Sequence, residues 1–324
     1  MPSGTAMTES GRNGIVNLYW KAQEQIRSLP EKPFRSEAEL EKYILNNQEL
    51  LGGDIYIIYH QIRTGSKEGI PDMLGVDQDS RVCILELKNA EAGEDILPQA
   101  LGYAMWAETN PDSIKAIWLE SKTKPEDIEL DWDNLDIRII LIAPSFKAAV
   151  PRMAGKIGYP VELVQVTRYS IEEDEFLLVE VLESPPQRKV TVTKVMGEWD
   201  WGFYESEHGK EATAQFRSTV EAVAALVAQQ GWELPYNLNK YYTGFKLGNR
   251  LVFWVAWGGT YAWNLRFALP EDVARGFSGE LWEFQRYGST FHEAVFRPLK
   301  PDSPDISELK PLFVEAYQFV SGRR

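Results

Sequence analysis

Three residues on two neighbouring segments carry the most chemical information in this chain. Asp72 lies in Gly69-Ile70-Pro71-Asp72-Met73-Leu74-Gly75-Val76-Asp77, and Glu86 and Lys88 lie in Ile84-Leu85-Glu86-Leu87-Lys88. Both segments read as strands, Asp72–Val76 and Val82–Leu87, joined by a polar turn from Asp77 to Ser80 that is short enough for them to pair. Side-chain alternation puts Glu86 and Lys88 on one face, with Leu87 and Cys83 turned to the core. Pairing then brings the Asp72 carboxylate beside that of Glu86. Two carboxylates so close repel, and a half-buried pair is costly unless a cation joins them. An all-oxygen set suits Mg2+ or Mn2+. A lysine at its edge can position or deprotonate a water and offset charge on a phosphorane-like transition state.

The elements around these strands must supply the rest of the site. Ser36-Glu37-Ala38-Glu39 forms a capping box that opens a helix, with Leu40, Tyr43, Ile44 and Leu51 as its apolar side and Gly52-Gly53 as its end. A third carboxylate is expected from this helix: Glu37, whose place relative to Leu40 points it back over the sheet, or Glu41, four residues on. A strand at Ile55–Ile62 and a turn at Thr64–Gly69 precede Asp72, and a helix from about Asp95 to Glu108 follows Lys88. On that helix Gln99 and Tyr103 are spaced i, i+4, so both can face the site and hold the lysine or a phosphate. Strands at Ile114–Leu119 and Ile137–Ala143, a helix at 147–157 and strands at Val161–Tyr169 and Phe176–Leu182 complete a mixed α/β unit.

Composition narrows the alternatives. The chain has 324 residues and 44% hydrophobic residues, too long for one small core and suited to two domains. One cysteine, Cys83, and three separated histidines exclude a disulfide framework and a cysteine-rich zinc site, and fit a reducing cytoplasm. No membrane span, phosphate loop, GxGxxG or GxSxG motif is present. The net charge is −14. Residues 1–185 carry 18 Lys+Arg against 32 Asp+Glu, which accounts for all of it, and residues 186–324 balance at 16 and 16. Nucleic-acid binding through residues 1–185 is therefore expected to be weak. The tail holds seven of the eleven tryptophans, a helix near Glu211–Gln230 and a hairpin at Leu251–Trp257 and Tyr261–Phe267. Lys240, Tyr241, Tyr242, Phe245, Lys246 and Arg250 interleave basic and aromatic residues, a pattern that contacts phosphates and stacks bases.

Taken together, Pro71-Asp72, Glu86-Leu87-Lys88 and Gln99-Ala100-Leu101-Gly102-Tyr103, with Ser36-Glu37-Ala38-Glu39-Leu40 ahead of them, resemble a PD-(D/E)xK nuclease domain of the RecB-like branch, most similar to NucS-like mismatch endonucleases. The likeness covers about residues 30–183. It implies an α/β fold with a restriction-endonuclease-like α-β-β-β-α-β core. It also implies an Mg2+- or Mn2+-dependent endonuclease acting on DNA in repair or defence. Asp72 and Glu86 would ligate the metal with the Leu87 carbonyl, Lys88 would serve the water, and Glu37 would complete the site. The organisation expected is an N-terminal helical extension at 1–29, the nuclease-like domain at 30–183, a linker at 184–199 and an aromatic-rich α+β accessory domain at 200–324. A homodimer is expected where both strands are cut. A non-catalytic binding or regulatory module that keeps the fold, and a nuclease directed at RNA, stay open beside this reading.

Overall fold

The computed structural model describes residues 18–22, 25–60, 71–125, 128–182, 199–248, 250–259, 262–300 and 305–322. The expected turn at Thr64–Gly69, the last two residues of the strand before it, and nearly all of the expected linker lie outside them. No helix among the described residues is long and apolar enough to cross a membrane.

The chain enters through two strands, β1 (Leu18–Ala22) and β2 (Gln25–Leu29), paired antiparallel. Of the helical extension expected at 1–29, residues 18–22 and 25–29 are therefore strands, and 1–17 lie outside the described residues. Tyr19, Trp20 and Ile26 stay largely exposed, while Leu29 is buried. α1 (Glu37–Asn46) starts where predicted, with the Ser36 side chain accepting from Glu39 N–H. The Glu39 carboxylate reaches one residue further back than a capping box requires, to Arg35 N–H at 2.6 Å. After a short 3-10 turn, Gln48–Leu51, come β3 (Ile55–His60), β4 (Met73–Asp77) and β5 (Val82–Leu87). They are followed by α2 (Ile96–Thr109), α3 (Pro111–Glu120), β6 (Ile137–Ala143), α4 (Ala149–Ala154), β7 (Val161–Ile171) and β8 (Asp174–Leu182).

These strands form one six-stranded sheet ordered β3-β4-β5-β6-β7-β8. The pairs β3/β4, β4/β5 and β7/β8 are antiparallel, and β5/β6 and β6/β7 are parallel. Helix, three antiparallel strands, helix and a parallel strand is the restriction-endonuclease-like core expected. Helices cover both faces: Leu40 and Ile44 of α1 pack with Cys83, Leu85 and Leu87 on one side, and Ala100 and Ala104 of α2 with Leu74 and Ile84 on the other. β5 is buried along its whole length, so it reads as a continuous apolar run broken only by Glu86.

Residues 111–120 are helical, which corrects the strand expected at Ile114–Leu119. Pro111 occupies the first turn, where its missing N–H costs nothing, and Ile114 and Trp118 are buried at i, i+4 spacing. A run rich in isoleucine resembles a strand locally, and the periodicity of burial decides otherwise.

The second half contains α5 (Trp201–His208), α6 (Lys210–Gln230), β9 (Tyr236–Leu238), β10 (Tyr242–Leu247), β11 (Arg250–Trp257), β12 (Trp263–Ala268), α7 (Glu271–Gly276), β13 (Trp282–Gly288), β14 (Glu293–Pro298) and α8 (Lys310–Ser321). Its antiparallel sheet is ordered β13-β14-β12-β11-β10-β9. One face carries the aromatic core, in which Phe216, Phe253, Phe267, Phe296 and Phe313 are wholly buried beneath α6 and α8. The other face meets the first half. Lys240 N–H donates to Asp79 Oδ1 at 2.9 Å, Leu251 N–H to the Gly52 carbonyl at 3.2 Å, and Tyr56 Oη to Glu293 Oε2 at 2.8 Å. Behind them Arg138 lies 3.1 Å from Asp77, 3.8 Å from Asp54 and 2.6 Å from Glu162, so the junction is a buried ionic network.

Candidate active site

The register of β4 and β5 builds the site. Met73 pairs with Leu85 and Leu74 with Ile84, so one step further along the ribbon Asp72 stands opposite Glu86. Leu87 N–H donates to Asp72 Oδ2 at 3.0 Å, which confirms that register. Residues directly opposite on antiparallel strands hold their Cβ atoms roughly 5 Å apart. Glu86 is 0% exposed and Asp72 is 6% exposed, so both carboxylates are withdrawn from bulk water. Parallel pairing with β6 then fixes the next residue, because Lys88 N–H donates to the Ile142 carbonyl at 2.9 Å.

The Lys88 side chain closes the constellation. Its Nζ lies 2.9 Å from Glu86 Oε1, 3.5 Å from Gln99 Oε1 and 3.7 Å from Glu37 Oε1. Gln99 Nε2 in turn donates to Tyr103 Oη at 3.2 Å, so the two α2 residues form one bracket behind the lysine. Burial pulls the Lys88 pKa down, but the hydrogen bond to Glu86 and the charges of Glu86, Glu37 and Asp72 outweigh it and hold the ammonium above its usual range. In this arrangement Lys88 is a hydrogen-bond donor to Glu86 and Gln99. Burial raises the Tyr103 hydroxyl first; the hydrogen bond from Gln99 lowers it, and the charges of Glu86 and Asp72 raise it further.

Between the two glutamates considered on α1, the ion pair with Lys88 goes to Glu37, while Glu41 is buried one turn on. The entry of α1, on which Glu37 stands, is held by a clamp that sequence reasoning missed. Arg168 on β7 donates to the carbonyls of Lys32 (3.0 Å) and Pro33 (3.1 Å) and to Glu39 Oε1 (3.2 Å), and its guanidinium lies 4.3 Å from the Phe34 ring centre. Asn89 adds a bond from its Nδ2 to the Phe34 carbonyl at 3.3 Å, tying the end of β5 to the entry of α1. No local signal marks Arg168, because its partners lie some 130 residues earlier in the chain.

Asp72, Glu86 and Glu37 all lie around the Lys88 ammonium in a largely enclosed place. Carboxylates drawn this close together favour a bound cation. Among the described residues no three acidic, histidine or cysteine side chains converge as a ready-made metal cage. A divalent ion would accordingly rest on two carboxylates, the Leu87 carbonyl and water. Mg2+, which keeps several waters and takes one or two carboxylates, suits such a set.

The basic and aromatic surface expected in the tail does not form as predicted. Tyr242 is 3% exposed and packs with Leu251, Trp254 and Ala256, so its ring cannot stack on a base. Lys246 turns to Asp54 at 3.6 Å, and Lys240 lies 5.0 Å over the Tyr241 ring while its backbone bonds Asp79. Arg250 is half-buried at the β10–β11 turn, opposite Leu247. Lys240 and Lys246 thus meet the first half at the junction. The sequence pattern is real, and the long-range packing that consumes it leaves no local trace.

No family model matches the chain. An uncharacterised protein of Haemophilus influenzae is 19% identical over 237 residues, 71% of this chain and 77% of that protein. A repair endonuclease from Pyrococcus abyssi is similar at 25% identity and a TM-score of 0.26, covering 42% of this chain and 50% of the other. This chain thus spans about half the length of that enzyme. EndoMS in complex with double-stranded DNA matches at 17% identity and a TM-score of 0.29, over 49% of this chain and 71% of its own. EndoMS without DNA matches at 18% and 0.26, over 48% and 70%. The nuclease-like fold of residues 37–143 rests on the strand order and register given above.

Proposed function

We propose that this protein is a divalent-metal-dependent nuclease that hydrolyses phosphodiester bonds in DNA. One observation carries the reading: Asp72 and Glu86 oppose each other across paired strands with the Lys88 ammonium 2.9 Å from Glu86. Two carboxylates withdrawn from water and drawn together on adjacent strands favour a divalent ion between them. Held by Asp72, Glu86 and the Leu87 carbonyl, Mg2+ or Mn2+ would supply Lewis-acid charge against the scissile phosphate. The chain's own groups do the rest. Lys88, kept protonated by its acidic neighbours, donates toward the attacking water or a phosphate oxygen and offsets charge that develops in the transition state. Gln99, bracketed by Tyr103, holds the lysine's Nζ from the α2 side. Glu37 balances the ammonium from α1 and keeps it from collapsing wholly onto Glu86.

The test is cleavage by the purified full chain with Mg2+ or Mn2+ on single-stranded, duplex, mismatched and branched DNA, with matching RNA strands alongside. Asp72→Ala and Lys88→Ala are each expected to lower the rate by about 10^2-fold or more, the scale of a lost charge-stabilising contact. Cutting that survives both substitutions would sink the assignment, and cutting confined to RNA would reassign the substrate.

A further inference from the structure

The half of the chain that carries the excess acid also contains a stretch with none. From Ile137 to Val161 there is no aspartate or glutamate, and four basic residues stand in it. Arg138 is buried in the junction's ionic network, but Lys147, Arg152 and Lys156 are exposed. Among the described residues none of these three lies within ion-pair distance of an acid. Arg27, Lys32, Arg81 and Arg168 of the same half are each matched to a carboxylate. Lys115 and Lys122 are unmatched as well, but Asp112 and Glu120 stand within three residues of them.

Packing sets the three bases in a row. Val150 and Ala154, i, i+4 on α4, are buried in the core that α4 shares with α2. Arg152 is two residues from each, about 200° around the helix, and so faces water. The backbone keeps helical angles from Ala148 to Gly155, so Lys147 and Lys156 bracket Arg152 at the two ends of α4. At ~1.5 Å per residue the row is about 13 Å long, roughly four phosphates of one strand at ~3.4 Å each. The neighbouring acids belong to the ends of α2 and the loop before it. Glu91, Glu94 and Asp95 stand near its start, and Glu108 near its end is engaged by the Tyr159 hydroxyl.

We propose that Lys147, Arg152 and Lys156 hold the phosphate backbone of the nucleic-acid strand that the candidate site cuts. The inference rests on the nuclease reading and deepens it by naming where the substrate strand is gripped. Backbone hydrogen bonds stitch the row to the site. Ala92 N–H donates to the Ser145 carbonyl at 2.9 Å, and Lys147 N–H donates to the Ala92 carbonyl at 3.0 Å. Lys147 Nζ lies over Gly93, 3.6 Å from where a Cβ would stand. Lys88 begins this same loop, and the four residues from it to Ala92 reach at most about 14 Å. A strand held beside Lys88 therefore meets Lys147 within a few phosphates, and Arg152 and Lys156 beyond it. The net charge of residues 1–185 makes weak binding there the expectation, but attraction between exposed charges fades over about 10 Å at 0.1 M salt, so the local row decides. Because the contacts are to phosphate, binding is sequence-tolerant.

The experiment is fluorescence anisotropy of labelled 20-nucleotide DNA, single-stranded and duplex, on the full chain with EDTA present so that nothing is cut. Arg152→Ala combined with Lys156→Ala is expected to weaken binding about tenfold near 0.1 M salt and to flatten the log K against log salt slope by about 1.4–1.8, the share of two phosphate contacts. Lys115→Ala combined with Lys122→Ala removes the same charge from α3 and the turn after it, and is expected to leave affinity within about twofold. Lys147→Glu alone repeats the test if the first pair does not fold. Equal losses from the two alanine pairs would mean that binding follows net charge, and that overturns the proposal. Unchanged affinity and slope in the row variants, or no binding by the native chain, overturns it too. So does displacement of the strand by polyglutamate at equal charge concentration, which would assign the row to an acidic protein segment. Cleavage that needs Asp72, with row variants that bind like the native chain, would remove the row alone. Row-dependent binding without any cleavage would remove the catalytic reading alone.

Discussion

Lys88→Met isolates the charge balance of the candidate site, because it keeps the apolar stem and removes only the ammonium. That ammonium sits 2.9 Å from Glu86 Oε1 and 3.7 Å from Glu37 Oε1, and Glu86 has no exposure to water. Removing one partner of a buried ion pair costs about 3–5 kcal/mol. The Lys88 side chain is itself 19% exposed, so water reaches the gap and the lower end, about 3 kcal/mol, applies. At ~2 °C per kcal/mol for a chain of this size, the melting temperature falls by roughly 6 °C. A divalent cation can take over the neutralisation. At a hundredfold excess over its Kd it contributes about 2.7 kcal/mol, which returns most of the loss. In the native protein Mn2+ must share the carboxylates with the ammonium, so its effect there should be smaller. Scanning calorimetry with and without Mn2+ reads both quantities, and adding Glu86→Gln to Lys88→Met should erase the Mn2+ response. A Lys88→Met protein melting within about 1 °C of the native one, a difference of some 0.5 kcal/mol, would refute the claim that this lysine neutralises the acid pair. Equal Mn2+ shifts in both proteins would refute the shared site.

Other perturbations probe the frame around the site. Burial, then the Asp77 charge, pushes the Asp79 carboxyl up to about 7. The folded chain thus binds a proton there that the unfolded chain has already released, so this contribution is complete below the ordinary carboxylate range and is lost as pH rises through about 7. The loss accrues at up to about 1 kcal/mol per pH unit as pH approaches 7 and levels off above it, and urea midpoints for Asp79→Asn should vary less with pH than those of the native chain. Gly75→Ala would set a Cβ 2.9 Å from Ile55 Cγ2 and 3.1 Å from the Tyr56 carbonyl, for an expected cost of about 1–3 kcal/mol in denaturant titration. An unchanged midpoint would mean that β3 yields more easily than its packing suggests. Arg168→Lys keeps the charge but not the fork that holds two carbonyls and Glu39, and should lower stability by about 1–3 kcal/mol. If the clamp positions Glu37, cleavage should fall in the same variant at temperatures where it remains folded.

What the sequence makes legible here is short-range. The alternation along Ile84–Lys88 and the turn at Asp77–Ser80 are enough to place Asp72 opposite Glu86, because a hairpin register is set by a few residues. The Ser36 cap and the i, i+4 pair Gln99 and Tyr103 are equally local. Residues 111–120 misled because isoleucine and tryptophan suit a strand, while the face they bury appears only against α2 and β3. The tail's basic residues misled for a deeper reason. Lys246 finds Asp54, and the Lys240 backbone finds Asp79 across 161 positions, so the pattern is consumed by partners that no window could contain. Arg266, Arg286 and Arg297 drew no reading at all: they sit on three strands and look scattered until β12, β14 and β13 line up.

The β4–β5 ribbon works as a beam with different loads at its ends. Its open end carries the two acids and the amine, and its closed end, through Asp77 and Asp79, is riveted into the junction with the tail. A stiff beam pivots as a unit, so a small change in how the tail seats would reorient Asp72, Glu86 and Lys88 together and leave their mutual spacing intact. For the same reason a chain severed near residue 200 would not isolate the candidate site intact. It would strand Asp54 and Asp79 at a naked edge, and the fragment's misbehaviour would say little about the chemistry at the other end.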